Sequence, residues 1–294
     1  MSHLSARVVP AYAKLNLSLS VVGRRDDGYH DIDSILVPID WHDLVGVSLS
    51  FAAAGAVALK VTGPAAAGVP PDDSNLTVRA ARALSGLARR PLDVRLWLDK
   101  AVPHGAGLGG GSGDAAAVLR AGAGALAAMG VAIDPAELAT AALGIGSDVP
   151  ALLDIGTQRA RGRGDRLERL PTPRLHVVVV STVPSSTAAT YGALLPEEIR
   201  DHGRTARLAE LLAANLAPEP GVMGSALEAA ASRADPAVGA AVRRARATVP
   251  GIEWHMTGSG GALFAVAADL AASDQLAAEM RRSGFHARAC RTIG

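Results

Sequence analysis

Cysteine is nearly absent from this 294-residue chain. Cys290 stands alone, which excludes an internal disulfide, suits a reducing compartment and reads as an inert thiol. Aromatic residues make up 3%, too few to supply stacking platforms for single-stranded nucleic acid. No charge of one sign prevails: 29 Lys and Arg face 28 Asp and Glu, a net of +1, so no strong field points to nucleic acid or an anionic membrane. Apolar runs are short of the roughly 20 residues a membrane span needs. The stretch 1–10 lacks the apolar core of a signal peptide. These absences lead to the expectation of a cytoplasmic, globular protein, long enough for one large or two smaller domains.

Glycine, by contrast, is abundant at one place. Residues 105–113 read Gly-Ala-Gly-Leu-Gly-Gly-Gly-Ser-Gly, six glycines in nine, followed by Asp114 and an alanine run. Glycine allows positive φ and a close approach of backbone N–H groups to a ligand. The helix that follows aims its unpaired N–H groups and positive dipole end back at the loop. Together they describe an anion site suited to phosphate; a tight glycine turn that only starts a helix is the plainer alternative. The loop is not a Walker A motif, since no Gly-Lys-Ser/Thr follows, and it departs from the spaced dinucleotide fingerprint.

Around this loop the pattern alternates between strands and helices. Leu15, Leu17, Leu19 and Val21 alternate with Asn16, Ser18 and Ser20, predicting a strand over 11–22. Further strands are expected over 32–39, 45–49, 57–61, 94–98 and 176–180. Helices are expected over 76–88, where an acidic or hydroxyl residue of 70–74 can supply the cap, and after the glycine loop. Another starts at Asp134-Pro135, and more follow over 204–215, 222–233 and 236–248. A strand–loop unit over 255–266, then a helix and a strand, close the chain. Composition shifts near residue 160, dividing it into 1–160 and 161–294.

Three other segments carry polar residues in apolar or glycine-rich settings. Lys14 and Asn16 sit on the first strand, Asp148 lies in Gly-Ser-Asp-Val-Pro, and residues 257–261 read Thr-Gly-Ser-Gly-Gly. Taken singly, these are a solvated lysine, a turn or cap aspartate and a tight connection. In order, the Lys-Asn strand, the Pro-x3-Gly-Leu-Gly-Gly-Gly-Ser loop, the Asp-Val-Pro turn and the Gly-Ser-Gly-Gly turn resemble the GHMP kinase superfamily from Lys14 to Phe264. Within it, Val22-Gly23-Arg24-Arg25-Asp26-Asp27-Gly28-Tyr29-His30-Asp31-Ile32 is similar to the signature of the 4-diphosphocytidyl-2-C-methyl-D-erythritol kinase family. Asp73-Ser74-Asn75-Leu76, and Ser186-Thr187 followed by Tyr191, also fit that family.

The resemblance implies an α+β, two-domain GHMP-kinase architecture with the active site between the domains. The N-terminal domain would be like ribosomal protein S5 domain 2 and the C-terminal domain ferredoxin-like. It implies transfer of a phosphoryl group from ATP, with Mg2+, to the 2-hydroxyl of 4-diphosphocytidyl-2-C-methyl-D-erythritol in non-mevalonate isoprenoid synthesis. Pro103, Gly105, Gly107, Leu108, Gly109, Gly110, Gly111 and Ser112 would face the ATP phosphates, Ser112 also the metal, with Asn75 and Lys100 on the adenine side. Asp148 would accept or orient the hydroxyl proton beside Lys14, as kinase catalysis through positioning and charge stabilisation requires. Asn16 would bond the reacting end of the substrate, while Tyr29, Tyr191 and His30 would take the cytidine by stacking and edge bonding. The partners implied are these two small molecules, with neither nucleic acid nor membrane. A helix cap for Asn75, a solvated Lys100, a structural His30 and a packed Tyr191 are the plainer alternatives, and Asp26 and Asp31 read as surface charges.

Three departures from the family pattern stand out. Gly113 occupies the place of a second serine, which removes a hydroxyl near the phosphates, loosens the helix start and implies lower ATP affinity. Gly224-Ser225-Ala226-Leu227 replaces an asparagine-aspartate-leucine segment, and Ala151 an aromatic. A kinase for another small alcohol such as homoserine, or a nucleotide-binding protein without turnover, are the alternative functions.

Overall fold

The alternation over 11–22 lies within β1 (Ser5–Arg24) of a computed structural model that describes residues 5–219 and 221–294. The reading of 1–10 as lacking an apolar leader falls in part on Met1 to Leu4, outside the described residues. By packing, the chain divides into two compact units. The first comprises the described part of 1–13 with Trp41–His104 and Gly109–Asp154. The second comprises Lys14–Asp40, Gly105–Leu108 and the described part of Ile155–Gly294.

In the first unit, β2 (His30–Phe51) contributes Leu44–Phe51, which pair antiparallel with β4 (Leu92–Asp99); β3 (Ala56–Thr62) runs parallel to β4. Every second residue of β4 is buried, because one sheet face is covered by α1 (Leu76–Leu87) and α2 (Gly110–Ala128). Val45, Val47, Leu49, Val94, Leu96 and Leu98 meet Leu84, Val118, Leu119 and Leu126 in a core whose many alanines let α1 and α2 approach closely. Two further helices, α3 (Pro135–Ile145) and α4 (Val149–Leu153), complete it, α3 capped by Asp134 as expected. The cap of α1 is Asn75 rather than a residue of 70–74, and Ser74 bonds Asp72 instead.

In the second unit, Ile32–Leu36 of β2 pair antiparallel with β5 (Gln158–Gly162), which turns into β6 (Arg166–Arg169). This hairpin occupies the Arg- and Gly-rich stretch in which no strand was expected. A separate antiparallel sheet has the order β11-β7-β10-β9, formed by β7 (His176–Ser181), β9 (His255–Met256), β10 (Ala262–Ala267) and β11 (His286–Arg291). Its helices are α5 (Thr187–Gly192), α6 (Arg204–Ala213), α7 (Glu228–Ala234), α8 (Pro236–Thr248) and α9 (Leu270–Arg282). A core of Val178, Val180, Leu263, Val242, Leu276 and Met280 joins sheet and helices.

The helix expected over 222–233 begins only at Glu228. Gly224 has φ +106°, outside helical space, and Gly224–Ser225 form a short β8 parallel to β1 at Ser18 and Leu19. The polar side of β1 is not solvated either. Asn16, Ser18 and Ser20 are buried, and Ser18 and Ser20 share the Thr205 hydroxyl of α6 at 2.8 and 3.3 Å. Cys290 is buried in β11, and desolvation pushes its thiol up to about 12, in keeping with an inert role. Among the described residues no helix is long and apolar enough to cross a membrane.

Candidate active site

In the second unit the glycine loop turns its carbonyls toward the protein. Leu108 O accepts the Lys14 N–H at 2.9 Å, Gly107 O accepts Lys14 Nζ at 2.9 Å, and Gly105 O accepts the Ser185 N–H at 3.1 Å. Gly105 and Gly107 have φ of +72°, which lets the chain reverse its peptide planes at each step. Lys14 is 3% exposed, so the solvated reading fails; its ammonium also donates to Asn16 Oδ1 at 2.5 Å. Asn16 Nδ2 then donates to Ser34 Oγ at 2.8 Å, and the Asn16 N–H to Thr257 Oγ1 at 2.7 Å. The side chain expected to meet substrate is thus also the one that orients the lysine.

The Gly-Ser-Gly-Gly turn is more than a tight connection. Gly258, Gly260 and Gly261 all have positive φ, and a Cβ on Gly261 would lie 2.7 Å from Gly105 O. Ser185 Oγ and Thr190 Oγ1 donate to Ser259 O at 2.9 and 3.0 Å, and Ser225 Oγ to Gly258 O at 2.6 Å. The turn therefore supports residues 105–108 backbone to backbone, and Ser225 supplies a polar contact in the segment that departs from the family pattern. The glycines signal a close approach, but their partner, another glycine turn over a hundred residues away, leaves no local trace.

In the first unit Gly109, at φ +69°, is the left-handed N-cap of α2, and Gly113 N donates the first helical bond to Gly109 O at 2.7 Å. The N–H groups of Gly110, Gly111 and Ser112 precede that bond and have no acceptor within the helix. They point along the positive end of the helix dipole. Gly113 is closely packed at this start. Its α-carbon faces the Tyr12 carbonyl, and a Cβ there would lie 2.8 Å from Tyr12 O. Restoring serine by Gly113→Ser is expected to destabilise the protein by about 1–3 kcal/mol, as overpacking does, without tightening ATP binding. Chemical denaturation and calorimetric titration with ATP check both parts.

Lys100 and Asn75 lie where other bonds claim them. Asn75 Oδ1 accepts from the Thr77 N–H and hydroxyl at 3.0 and 2.7 Å, and Nδ2 donates to Pro70 O at 2.7 Å. Lys100 is 2% exposed, against the solvated alternative, and bridges two buried carboxylates, Asp43 and Asp114, the latter at 2.7 Å. The sequence pointed to Asp114 only as the residue that follows the glycine loop, and to Asp43 not at all. Burial works against the ammonium, yet the two carboxylates outweigh it and raise its pKa above the ordinary value. Burial likewise pushes the Asp114 carboxyl up to about 8, against the attraction of Lys100 and with repulsion from Asp43.

A carboxyl raised in the fold stabilises it fully below the unfolded pKa, and that contribution is lost as pH rises toward 8. Wild type should therefore lose up to about 1.4 kcal/mol per pH unit between pH 5 and 8 relative to Asp114→Asn. Urea unfolding across that range measures it; parallel curves would mean that Asp114 is already ionised in the fold.

The aromatic group also lies in the second unit. A turn closed by Arg25 N to Tyr29 O at 2.9 Å, with Gly28 at φ +85°, presents Tyr29, which is 51% exposed. The Arg163 guanidinium lies 3.7 Å over its ring, a partner the sequence did not suggest. His30 packs against Tyr191 of α5 with centroids 5.2 Å apart. Desolvation, helped by Arg24, lowers the His30 pKa and favours the neutral imidazole, which both donates and accepts. Asp31 and Asp27 pair with Arg25, in keeping with a turn and surface role for Asp31. Asp148 is the N-cap residue of α4, but its side chain makes no capping bond.

Residues 75–154 match the GHMP kinases N terminal domain and residues 193–286 the GHMP kinases C terminal family. The chain is 39% identical over 289 residues to the 4-diphosphocytidyl-2-C-methyl-D-erythritol kinase of Pelotomaculum thermopropionicum, covering 96% of each. It is 39% identical over 278 residues to that of Rhizorhabdus wittichii, covering 92% of this chain and 90% of that one. Among solved structures, a crystal structure of 4-(cytidine 5'-diphospho)-2C-methyl-D-erythritol kinase matches with TM-score 0.76 and 33% identity, covering 98% of this chain and all of that one. A homoserine kinase from Cytophaga hutchinsonii, at TM-score 0.66 and 16% identity over 98% of this chain and 94% of that one, shares the fold alone.

Proposed function

The chain belongs to the 4-diphosphocytidyl-2-C-methyl-D-erythritol kinase family of the GHMP kinases, and from that we propose how its residues divide the work. It is an ATP-dependent small-molecule kinase of isoprenoid precursor synthesis, acting in our reading in the cytoplasm on the 2-hydroxyl of 4-diphosphocytidyl-2-C-methyl-D-erythritol. The observation that carries the reading is the glycine loop itself. The carbonyls of Gly105, Gly107 and Leu108 are occupied by Lys14 and Ser185, and the N–H groups of Gly110, Gly111 and Ser112 begin a 19-residue helix. That polarity suits phosphate oxygens and repels nothing they carry.

ATP phosphates would lie along Pro103, Gly105 and Gly107 to Ser112, with the adenine toward Asn75 and Lys100. Among the described residues no group of three or more His, Cys, Asp or Glu could hold a metal. Mg2+ would be held by the phosphates with the Ser112 hydroxyl as a protein ligand, as this cation commonly is with nucleotides. It would neutralise charge on the transferred group. Asp148 would accept or orient the proton of the attacking hydroxyl, with Lys14 as its cationic partner, and Asn16 would hold both lysine and substrate. Tyr29, backed by Arg163, would stack the cytosine, with Tyr191 and His30 completing its surroundings. The division into domains 1–160 and 161–294 remains our reading, supported by the positions of the two family matches.

The test is ADP release from ATP and Mg2+ with 4-diphosphocytidyl-2-C-methyl-D-erythritol, beside thermal unfolding with cytidine diphosphate ligands and with homoserine. Turnover with the first, and stabilisation by cytidine ligands alone, are expected. Stabilisation by homoserine without any cytidine effect would assign the chain a different acceptor.

A further inference from the structure

A stable core needs one carboxylate for a buried lysine, not two. In the first unit Lys100 has both Asp43 and Asp114, and the three side chains are 0 to 3% exposed. If all three were ionised the cluster would carry a surplus negative charge, and Asp114 Oδ1 has no hydrogen-bond partner. Buried ion pairs are poor sources of stability compared with apolar residues of the same volume. Their value is in fixing geometry, and the geometry here leads to the glycine loop. Asp43 Oδ1 accepts the N–H groups of Ala101 and Val102 at 2.6 and 2.8 Å, while Trp41 Nε1 donates to Ala101 O at 3.0 Å. The peptides that enter the loop are thus gripped from both sides. Asp114, in the second turn of α2, ties the same ammonium to the helix, and the α-hydrogen side of Gly110 faces Lys100 Nζ closely enough that a Cβ would lie 3.3 Å away.

We propose that Asp43, Lys100 and Asp114 are positioning residues for nucleotide binding, tying residues 100–102 to α2 so that the N–H groups of Gly110, Gly111 and Ser112 stay aligned for phosphate. This rests on the reading of the loop as the ATP site, and it gives Lys100, on the adenine side of that site, an indirect role through the strut. Because the three act as one strut, loss of any member removes the same alignment, and losses do not multiply.

Calorimetric titration of the full chain with ATP and Mg2+, without acceptor, separates the two ideas. A wild type that does not bind ATP would overturn the loop reading. Given wild-type binding, Lys100→Met and Asp43→Asn are each expected to weaken ATP by about tenfold, as misplaced binding groups do. The double variant should be no weaker than the worse single. KM for the alcohol substrate should not move. Should Lys100→Met fail to fold, Asp43→Asn alone carries the test, since it keeps an oxygen for the two N–H groups while replacing the acceptor that holds Lys100 with an amide donor. Multiplying effects in the double variant would make Lys100 a direct ligand. Lower melting temperatures with unchanged ATP affinity would make the cluster purely structural. Either result overturns the proposal.

Discussion

Asp148→Asn is expected to lower kcat by about 10²- to 10⁴-fold, the span general-base catalysis supplies, while ATP affinity stays within a few-fold of wild type. The separation follows from where the residue sits. Asp148 occupies the N-cap of the five-residue α4 with φ −85° and ψ −14°, and its side chain makes no capping bond. Asparagine has nearly the same shape, is itself a good N-cap and tolerates the same backbone. What it cannot do, in the role proposed for Asp148, is accept the proton of the attacking hydroxyl. A loss confined to kcat is the signature of an interaction made in the transition state. Steady-state kinetics paired with ATP titration read the two halves separately. Loss of ATP binding in step with kcat would instead assign the carboxylate to nucleotide or metal binding.

The features that make such a variant interpretable were legible in the sequence to different depths. The glycine loop and its helix were plain, because positive φ and unpaired N–H groups are local properties that six glycines and an alanine run announce. The Lys14–Asn16 spacing placed both side chains on one face of a strand, and they do meet at 2.5 Å. Burial of that face was not legible. Polar alternation reads as solvated until a distant hydroxyl, here Thr205, arrives to satisfy it. The same limit hid the partners of Lys100. Asp43 is 57 residues away, and no periodicity links an isolated lysine to a carboxylate on another strand.

Local chemistry also misled where two rules competed. Residues 222–233 carry helix-forming alanines, but Gly224 at φ +106° ends that pattern and turns the chain into a strand pair with β1. Gly113 reads as a missing hydroxyl in the sequence. In the fold it also gives room for the close approach of the Tyr12 carbonyl, a packing reason for glycine there that the sequence did not show.

A large structural effect should come from a single methyl group at Gly107. Its φ of +72° costs an L-residue about 1–2 kcal/mol, and alanine there would put Cβ 2.5 Å from Gly260 O and 3.2 Å from Thr257 O. Those are backbone atoms and cannot swing aside. Gly260 is itself at φ +113°, and a neighbouring carbonyl is pinned by Ser185 and Thr190. The strain must then be taken up by the loop, adding about 1–3 kcal/mol of overpacking. Displacing residue 107 also moves the carbonyl that holds Lys14 Nζ at 2.9 Å, so ATP affinity and kcat should both fall, each by tenfold or more, as misplaced groups do. Gly251→Ala is the matched control. It has φ +87° with no atom within 4 Å of an added Cβ, and so incurs the backbone cost alone. A fall in melting temperature in both variants, with kinetic damage in Gly107→Ala only, would locate the effect in the contact between the two glycine turns. Equal kinetic damage in both would refute that contact as its cause.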